Sequence, residues 1–209
     1  MTPPAIAVVD YDMGNLHSVC KGLETVGARP LITADPQVLA DADGVVLPGV
    51  GAFDPAMIHL RERRLTEPLR EIALGGKPFL GVCLGLQILF SSSEEGEEPG
   101  LDLIPGVVRR FRSEPGLTIP HMGWNALTLT QPDLLLWRNL PPQPQVYFVH
   151  SYYAAPEDPQ VQAATVTHGT QTVTAAIAQG TLMATQFHPE KSASLGLQIL
   201  ANFAALTQA

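Results

Sequence analysis

The chain has 209 residues, 45% of them hydrophobic and 15% charged, a composition that supports a packed core and excludes a disordered chain. Its formal net charge of −8 excludes the basic surface that nucleic-acid binding demands, and no apolar run approaches the roughly 18 residues of a membrane span, so neither a nucleic-acid nor a membrane partner is expected. Two cysteines, Cys20 and Cys83, are too few for a disulfide framework or a Cys-rich zinc site. With no basic segment after Met1, the expected location is the cytoplasm, where a thiol stays free.

Along the chain, apolar runs alternate with helical patterns, the mark of a largely parallel sheet covered on both faces. Ile6 to Val9 reads as the first strand and stops at Asp10. Asn15 is placed to cap a helix running to about Val26 and ended by Gly27. Leu31-Ile32 reads as a short second strand and Gly44 to Leu47 as a third, with helical segments over about 54–74 after it. Phe79 to Val82 is a further strand leading into Cys83, and Leu86 to Phe90 follows as an apolar, helix-like run. After Ser93 the texture changes. The stretch from Gly106 to Ile177 is rich in β-branched residues and prolines and reads as shorter, partly antiparallel strands. Leu195 to Leu206 closes the chain as an apolar-rich helix packed back on the sheet, and Cys20 is read as a packed helix residue. No internal repeat and no linker interrupts this order. The expectation is one domain over residues 1–209, of α/β class, with a mostly parallel, doubly wound sheet, flanking helices and an additional, partly antiparallel β portion.

Gly81-Val82-Cys83-Leu84-Gly85 places a reactive side chain between glycines at a strand-to-helix junction, the pattern of a nucleophile elbow. The glycines suit a tight, strained turn, and a helix N-terminus favours a thiolate over a thiol of reference pKa about 8.5. By itself the pentapeptide fits a buried cysteine on an ordinary turn equally well. Phe187-His188-Pro189-Glu190 shifts that balance, because a thiol nucleophile needs a base and the base needs an orienting partner. His188 and Glu190, two apart, share a face if a strand runs straight through, while Pro189 argues for a strand end. Cys83, His188 and Glu190 are therefore the candidate catalytic triad.

Pro48-Gly49-Val50-Gly51-Ala52-Phe53 directly follows the third strand, where ligand sites of doubly wound sheets cluster. N–H groups of this loop at Gly49 and Val50, with that of Leu84 after the nucleophile, are candidate donors to an oxyanion. His121-Met122-Gly123-Trp124-Asn125 and Phe148-Val149-His150-Ser151-Tyr152-Tyr153 set aromatics among polar residues and suit an interface or a pocket. Equally, Trp124 fits a core position, and His121 and His150 fit buried, satisfied imidazoles. The acidic run Glu94 to Glu98 fits a solvated loop. The six histidines show no metal-ligand spacing and there is no P-loop or GxGxxG, so neither metal nor cofactor is expected.

The segments VVDYDMGNLHSV, LPGVGAF, GVCLGLQ, PHMGWN, YFVHSYY and TQFHPEKS span nearly the whole chain. Together they resemble the class I, triad-type glutamine amidotransferases, whose fold is flavodoxin-like. Within that class they look like the glutaminase subunits that serve imidazole glycerol phosphate synthases in histidine biosynthesis. The resemblance implies hydrolysis of glutamine to glutamate and ammonia through a thioester on Cys83, with His188 as base and then acid and Glu190 orienting it. It also implies a glutamine pocket of Gly51, Gln87, Glu95, His150, Ser151 and Tyr152, a carboxylate such as Glu95 being suited to an α-ammonium. It further implies a heterodimer with a (β/α)₈ cyclase subunit, to which ammonia is channelled, with Tyr11, Asn15, Trp124, Tyr147 and Lys191 on the partner-facing side. In the resemblance the Pro48 to Gly51 strand turns an N–H into the oxyanion hole when that partner is liganded. Four positions depart from the pattern: Asp12 for a glycine, His168 for a tyrosine, Thr181 for an asparagine and Ala184 for a glycine. The competing readings are an amidotransferase serving another synthase, a catalytically silent binding subunit, and a cysteine hydrolase of unrelated substrate.

Overall fold

The computed structural model describes residues 2–208. From the N-terminus come β1 (Ala5–Val9), α1 (Leu16–Thr25), β2 (Arg29–Thr33), α2 (Pro36–Asp41), β3 (Gly44–Gly49), α3 (Phe53–Glu62), α4 (Thr66–Leu74) and β4 (Phe79–Cys83). There follow α5 (Leu84–Gln87), β5 (Phe90–Ser93), β6 (Ile104–Arg110), β7 (His121–Ala126), β8 (Thr128–Leu129) and β9 (Gln145–His150). The chain ends through β10 (Tyr152–Pro156), β11 (Gln162–His168), β12 (Gln171–Gln179), β13 (Leu182–Thr185) and α6 (Ala193–Leu206).

Among the described residues, eight strands join in one sheet in the order β2-β1-β3-β4-β13-β12-β11-β8. The first five run parallel, in the flavodoxin-like winding, and the last three continue the same sheet antiparallel. Two smaller sheets, β10-β6-β5 and the β7-β9 pair, stand beside it. The parallel strands are buried on both faces. Ile6, Val8, Val46, Leu80 and Val82 pack with Val19 and Leu23 of α1 and Ile199, Leu200 and Phe203 of α6. Their alternates Ala7, Val9, Val45, Leu47 and Phe79 pack with α2, α3 and α4 through Leu39, Phe53, Met57, Leu60 and Leu69. This two-sided burial is why the strands read as continuous apolar runs. It also aims the carboxyl ends of β1, β3, β4 and β13 at one rim, where the candidate site lies.

Several local expectations are corrected. Asn15 flanks α1, but its side chain accepts no capping bond. α2 has no counterpart in the sequence reading, although Asp35 accepts from Gln37 N and Pro36 opens the first turn, a readable start signal. The segment over 54–74 is two helices, broken where Arg64 adopts φ 57°. After Cys83 the helix is one turn, and Phe90 already belongs to β5, which pairs with β6. Short apolar runs do not distinguish helix from strand, and here Leu86 and Gln87 stay helical while the second sheet claims the run's end at Phe90.

Candidate active site

Cys83 ends β4 with φ 56° and ψ −108°, a backbone conformation that costs a non-glycine residue about 1–3 kcal/mol. Its neighbours make the turn possible. A Cβ on Gly85 would lie 1.9 Å from the carbonyl oxygen of Leu47 in β3, and one on Gly81 would lie 2.7 Å from Gly85 O. The β4–α5 turn thus seats directly on β3, and the cysteine is levered out at the strand end while staying 8% exposed. The elbow is built from backbone contact rather than from a long helix, since α5 has only one turn.

β13 stops at Thr185. His188 is extended, and Pro189–Lys191 forms a single 3₁₀ turn that carries Glu190 back under the imidazole. The His188–Glu190 pair therefore meets across a turn, not along a straight strand. Glu190 Oε1 lies 2.8 Å from His188 Nδ1, so Nδ1–H donates to the carboxylate and Nε2 is left for the sulfur. The His188 backbone is clamped on both sides: its N–H donates to Tyr147 O at 3.0 Å, and Ser192 Oγ donates to His188 O at 2.7 Å. Ser192 Oγ also accepts from Tyr147 N, which ties β9 to the same turn. Burial works to lower the His188 pKa, but hydrogen bonds to Cys83 and Glu190 and their negative charges outweigh it, holding it up at about 10.

Glu190 is expected to act through that hydrogen bond. Glu190→Gln removes the charge that raises His188, so the imidazolium is lost at lower pH. The alkaline limb of kcat/KM for glutamine then moves to lower pH, and the rate at neutral pH falls on the order of 10³-fold. A pH–rate profile of the variant checks both, and an unshifted limb would contradict the assigned role.

In front of Cys83 and His188 opens a cavity of about 370 Å³, lined also by Val50, Gly51, Leu84, Gln87, Glu95, His150, Ser151 and Tyr152. All six residues expected of a glutamine pocket meet here. Pro120 and Val149 line it too, and were not singled out in the sequence, as neither carries a polar handle. Glu95 is anchored, not solvated: its Oε2 accepts from Phe53 N at the start of α3, while Asp54 accepts from Glu97 N and Glu98 N. The acidic run is thereby stapled to a helix N-terminus.

The three candidate oxyanion donors stand differently. Leu84 begins α5 beside the nucleophile. Val50 lines the cavity, but its N–H donates to Met13 O at 2.6 Å and so turns away from Cys83. Gly49 lies beneath the wall, where a Cβ would come within 2.6 Å of Tyr11 Oη, 2.8 Å of Leu84 Cβ and 2.9 Å of Gly85 N.

Of the residues expected on the partner-facing side, Trp124 is 54% exposed, Lys191 is exposed, and Asn15 and Tyr147 are half-buried. Trp124 and Tyr147 are cross-strand neighbours on β7 and β9 with rings edge to face at 6.1 Å. Tyr11 is a correction. It is fully buried, its hydroxyl donates to Pro48 O at 2.8 Å, and burial together with the charge at Cys83 pushes its pKa far up. The hydroxyl found an internal acceptor, so the ring props the Gly49 strand from below instead of facing outward.

Asp12 adopts φ 68°, the left-handed region that favours glycine, and pairs with Arg63, just past the end of α3. His168 stacks on His121 at 4.2 Å and bonds Thr118 O. Gln186, fully buried with Nε2 3.8 Å from Cys83 Sγ, and Ser192 are site residues that no local sequence signal marks. Among the described residues no group of His, Cys, Asp or Glu is arranged to hold a metal ion, and no helix is long and apolar enough to cross a membrane.

Residues 7–206 match the family model described as glutamine amidotransferase class-I. The chain is 69% identical over 200 residues, 96% of its length and 95% of the relative's, to the imidazole glycerol phosphate synthase subunit HisH of Trichormus variabilis. It is 67% identical over 206 residues, 99% and 96% of the two chains, to the protein of that name in Acaryochloris marina. Among solved structures, PurLQS from Thermotoga maritima shares the fold with a TM-score of 0.76 at 19% identity, each chain covered to 99%. With a family model spanning almost all of its residues and relatives this similar along their whole length, the chain belongs to the class I glutamine amidotransferases.

Proposed function

We propose that the chain, as one amidotransferase domain in the cytoplasm, is the glutaminase subunit of an imidazole glycerol phosphate synthase in histidine biosynthesis. The observation that carries the glutaminase part of this reading is Cys83, held at φ 56° in a cavity it shares with a His188 that is bonded to Glu190 at 2.8 Å, and the names of the similar relatives support the synthase. Glutamine enters with its α-ammonium on Glu95 and its side-chain amide over Cys83. The thiolate attacks the amide carbon, the bond to nitrogen breaks, and His188 supplies the proton that leaves with ammonia. A γ-glutamyl thioester remains on Cys83. His188, now neutral, takes a proton from water as that water attacks the thioester, and glutamate leaves with regeneration of the thiolate–imidazolium pair.

Ammonia released into water is protonated and lost to synthesis, which favours delivery across a sealed interface to a (β/α)₈ cyclase subunit. Asn15, Trp124, Tyr147 and Lys191 are the surface assigned to that subunit, and the names of the relatives fit such a pairing. The Val50 N–H, bonded to Met13 O at 2.6 Å, is read as the resting state of an oxyanion donor. Turning the Gly49–Val50 peptide toward Cys83 upon binding of a liganded partner completes the hole and raises kcat.

The test measures glutamate release from glutamine by the chain alone, with a cyclase subunit, and with that subunit plus its ribonucleotide ligand, using Cys83→Ala as control. Strong release confined to the liganded complex and lost in Cys83→Ala is the expected result. Equal release in all three mixtures would remove the coupling, and no Cys83-dependent release would remove the glutaminase reading itself. Val50→Pro, which has no N–H, is expected to bind glutamine with affinity close to wild type. It would lose about 10²–10³-fold of the activation by the liganded partner. Comparing KM and kcat in the complex checks this.

A further inference from the structure

Resting on the proposed glutaminase reading, we infer that His121 and Asn125 of β7 are positioning residues of the glutamine site and act on it through His150. Neither lines the cavity. Each is instead one link in a chain of hydrogen bonds whose every proton can be assigned.

The assignment starts at Asn125. Its Oδ1 accepts from Ala126 N at 2.8 Å and its Nδ2 donates to Thr167 O at 2.9 Å, which fixes the amide in one orientation. The second N–H of Nδ2 faces His121 Nε2 at 3.2 Å, so that nitrogen carries no proton. His121 therefore holds its proton on Nδ1 and donates it to His150 Nε2 at 2.9 Å. His150 in turn holds its proton on Nδ1 and donates to Tyr152 O at 2.8 Å. The same carbonyl accepts from Gln87 Nε2 at 3.1 Å, whose other N–H reaches Gln186 Oε1 at 3.1 Å. Gln186 Nε2 then lies 3.8 Å from Cys83 Sγ.

Both imidazoles are thus neutral and locked in single tautomers, and Gln87 is left with Oε1 as its free acceptor at the cavity wall. Burial supports the same state, lowering His150 to about 3 and His121 to about 4. The groups around His150 are His121 on β7, His168 on β11 and His188 beyond β13, with Cys83 and Glu95 on the shared cavity. Phe111 and Phe148 close the apolar sides. If His121 did not donate, His150 Nε2 would lose its partner and the ring would be free to swing away from Tyr152 O. The strand that positions His121 also carries the exposed Trp124, so glutamine site and assigned partner surface share the antiparallel β7–β9 pair.

Two substitutions at His121 separate the N–H from the ring. His121→Phe keeps the ring that stacks at 4.7 Å on Phe148 and removes the donor, whereas His121→Asn keeps a donor near Nδ1 and removes the ring. In the complex with the cyclase subunit and its ribonucleotide ligand, His121→Phe is expected to raise KM for glutamine about tenfold. Its kcat should stay within about threefold of wild type. His121→Asn is expected to recover most of that loss. Asn125→Asp, which turns an acceptor toward His121 Nε2 and flips the tautomer, should raise KM in the same direction; being half-buried, it keeps the test open if His121→Phe melts poorly. Wild-type KM in both His121→Phe and Asn125→Asp would overturn the inference, as would equal impairment of the Phe and Asn variants, which would point to ring packing alone. Absence of Cys83-dependent glutamate release from the wild-type complex would instead strike the glutaminase reading beneath it.

Discussion

Cys83→Ala is expected to lower kcat for glutamine hydrolysis by the liganded complex by about 10⁶-fold, because the acyl bond forms on the sulfur it removes. Cys20, the other thiol, is buried in the packing of α1 and absent from the cavity wall, so it offers no substitute. The fold should survive the change. Cys83 sits in a conformation disfavoured for any residue with a Cβ, so its side chain is retained against local strain. Cys83→Gly should therefore be equally inactive yet about 1 kcal/mol more stable than Cys83→Ala, the relief of positive φ outweighing the extra freedom of an unfolded glycine. Paired denaturant titrations check this, and an alanine variant as stable as the glycine variant would mean the elbow stores no strain.

Gly85→Ala should be the more damaging change to the molecule as a whole. The new Cβ would stand 1.9 Å from Leu47 O, a backbone atom of a central strand with no freedom to swing aside. The relief available is to push the β4–α5 turn off β3, breaking contact among Leu47, Leu84 and Leu86 in the core. Destabilisation of about 3 kcal/mol or more is expected, a large share of the roughly 5–15 kcal/mol that holds a domain. Folded molecules should also be poor catalysts, since a displacement of about 1 Å at Cys83 costs on the order of 10²-fold in rate. Thermal melting and glutamate release read the two effects separately, and a variant of wild-type stability would contradict the packing described.

Much of this is legible in the residues, for physical reasons that also mark where legibility ends. The parallel strands announce themselves because burial on both faces forces continuous apolar runs such as Ile6 to Val9. The elbow is visible because only glycine can stand where a Cβ would strike Leu47 O or Gly85 O. The His188–Glu190 pair is visible because its partners are two residues apart. What depends on distant chain is not. The sequence shows an aromatic at Tyr11 but not that Pro48 O waits to accept its hydroxyl, so outward and inward placement look alike. His121 and His150 meet through the register of β7 with β9, and no local pattern states that register. Gln186 and Ser192 are not legible, because an amide and a hydroxyl beside a stronger motif look like filler until their partners are known. The antiparallel strands were expected, but not that β12, β11 and β8 extend the main sheet, since pairing order is set by packing rather than by composition.

The most direct test is to mix the liganded complex with glutamine, quench it in acid within the first turnover, and weigh the peptide that contains Cys83. A mass increase of one γ-glutamyl group on that peptide, with none on the peptide containing Cys20, is the predicted result. An unmodified Cys83 while glutamate accumulates would contradict the thioester mechanism.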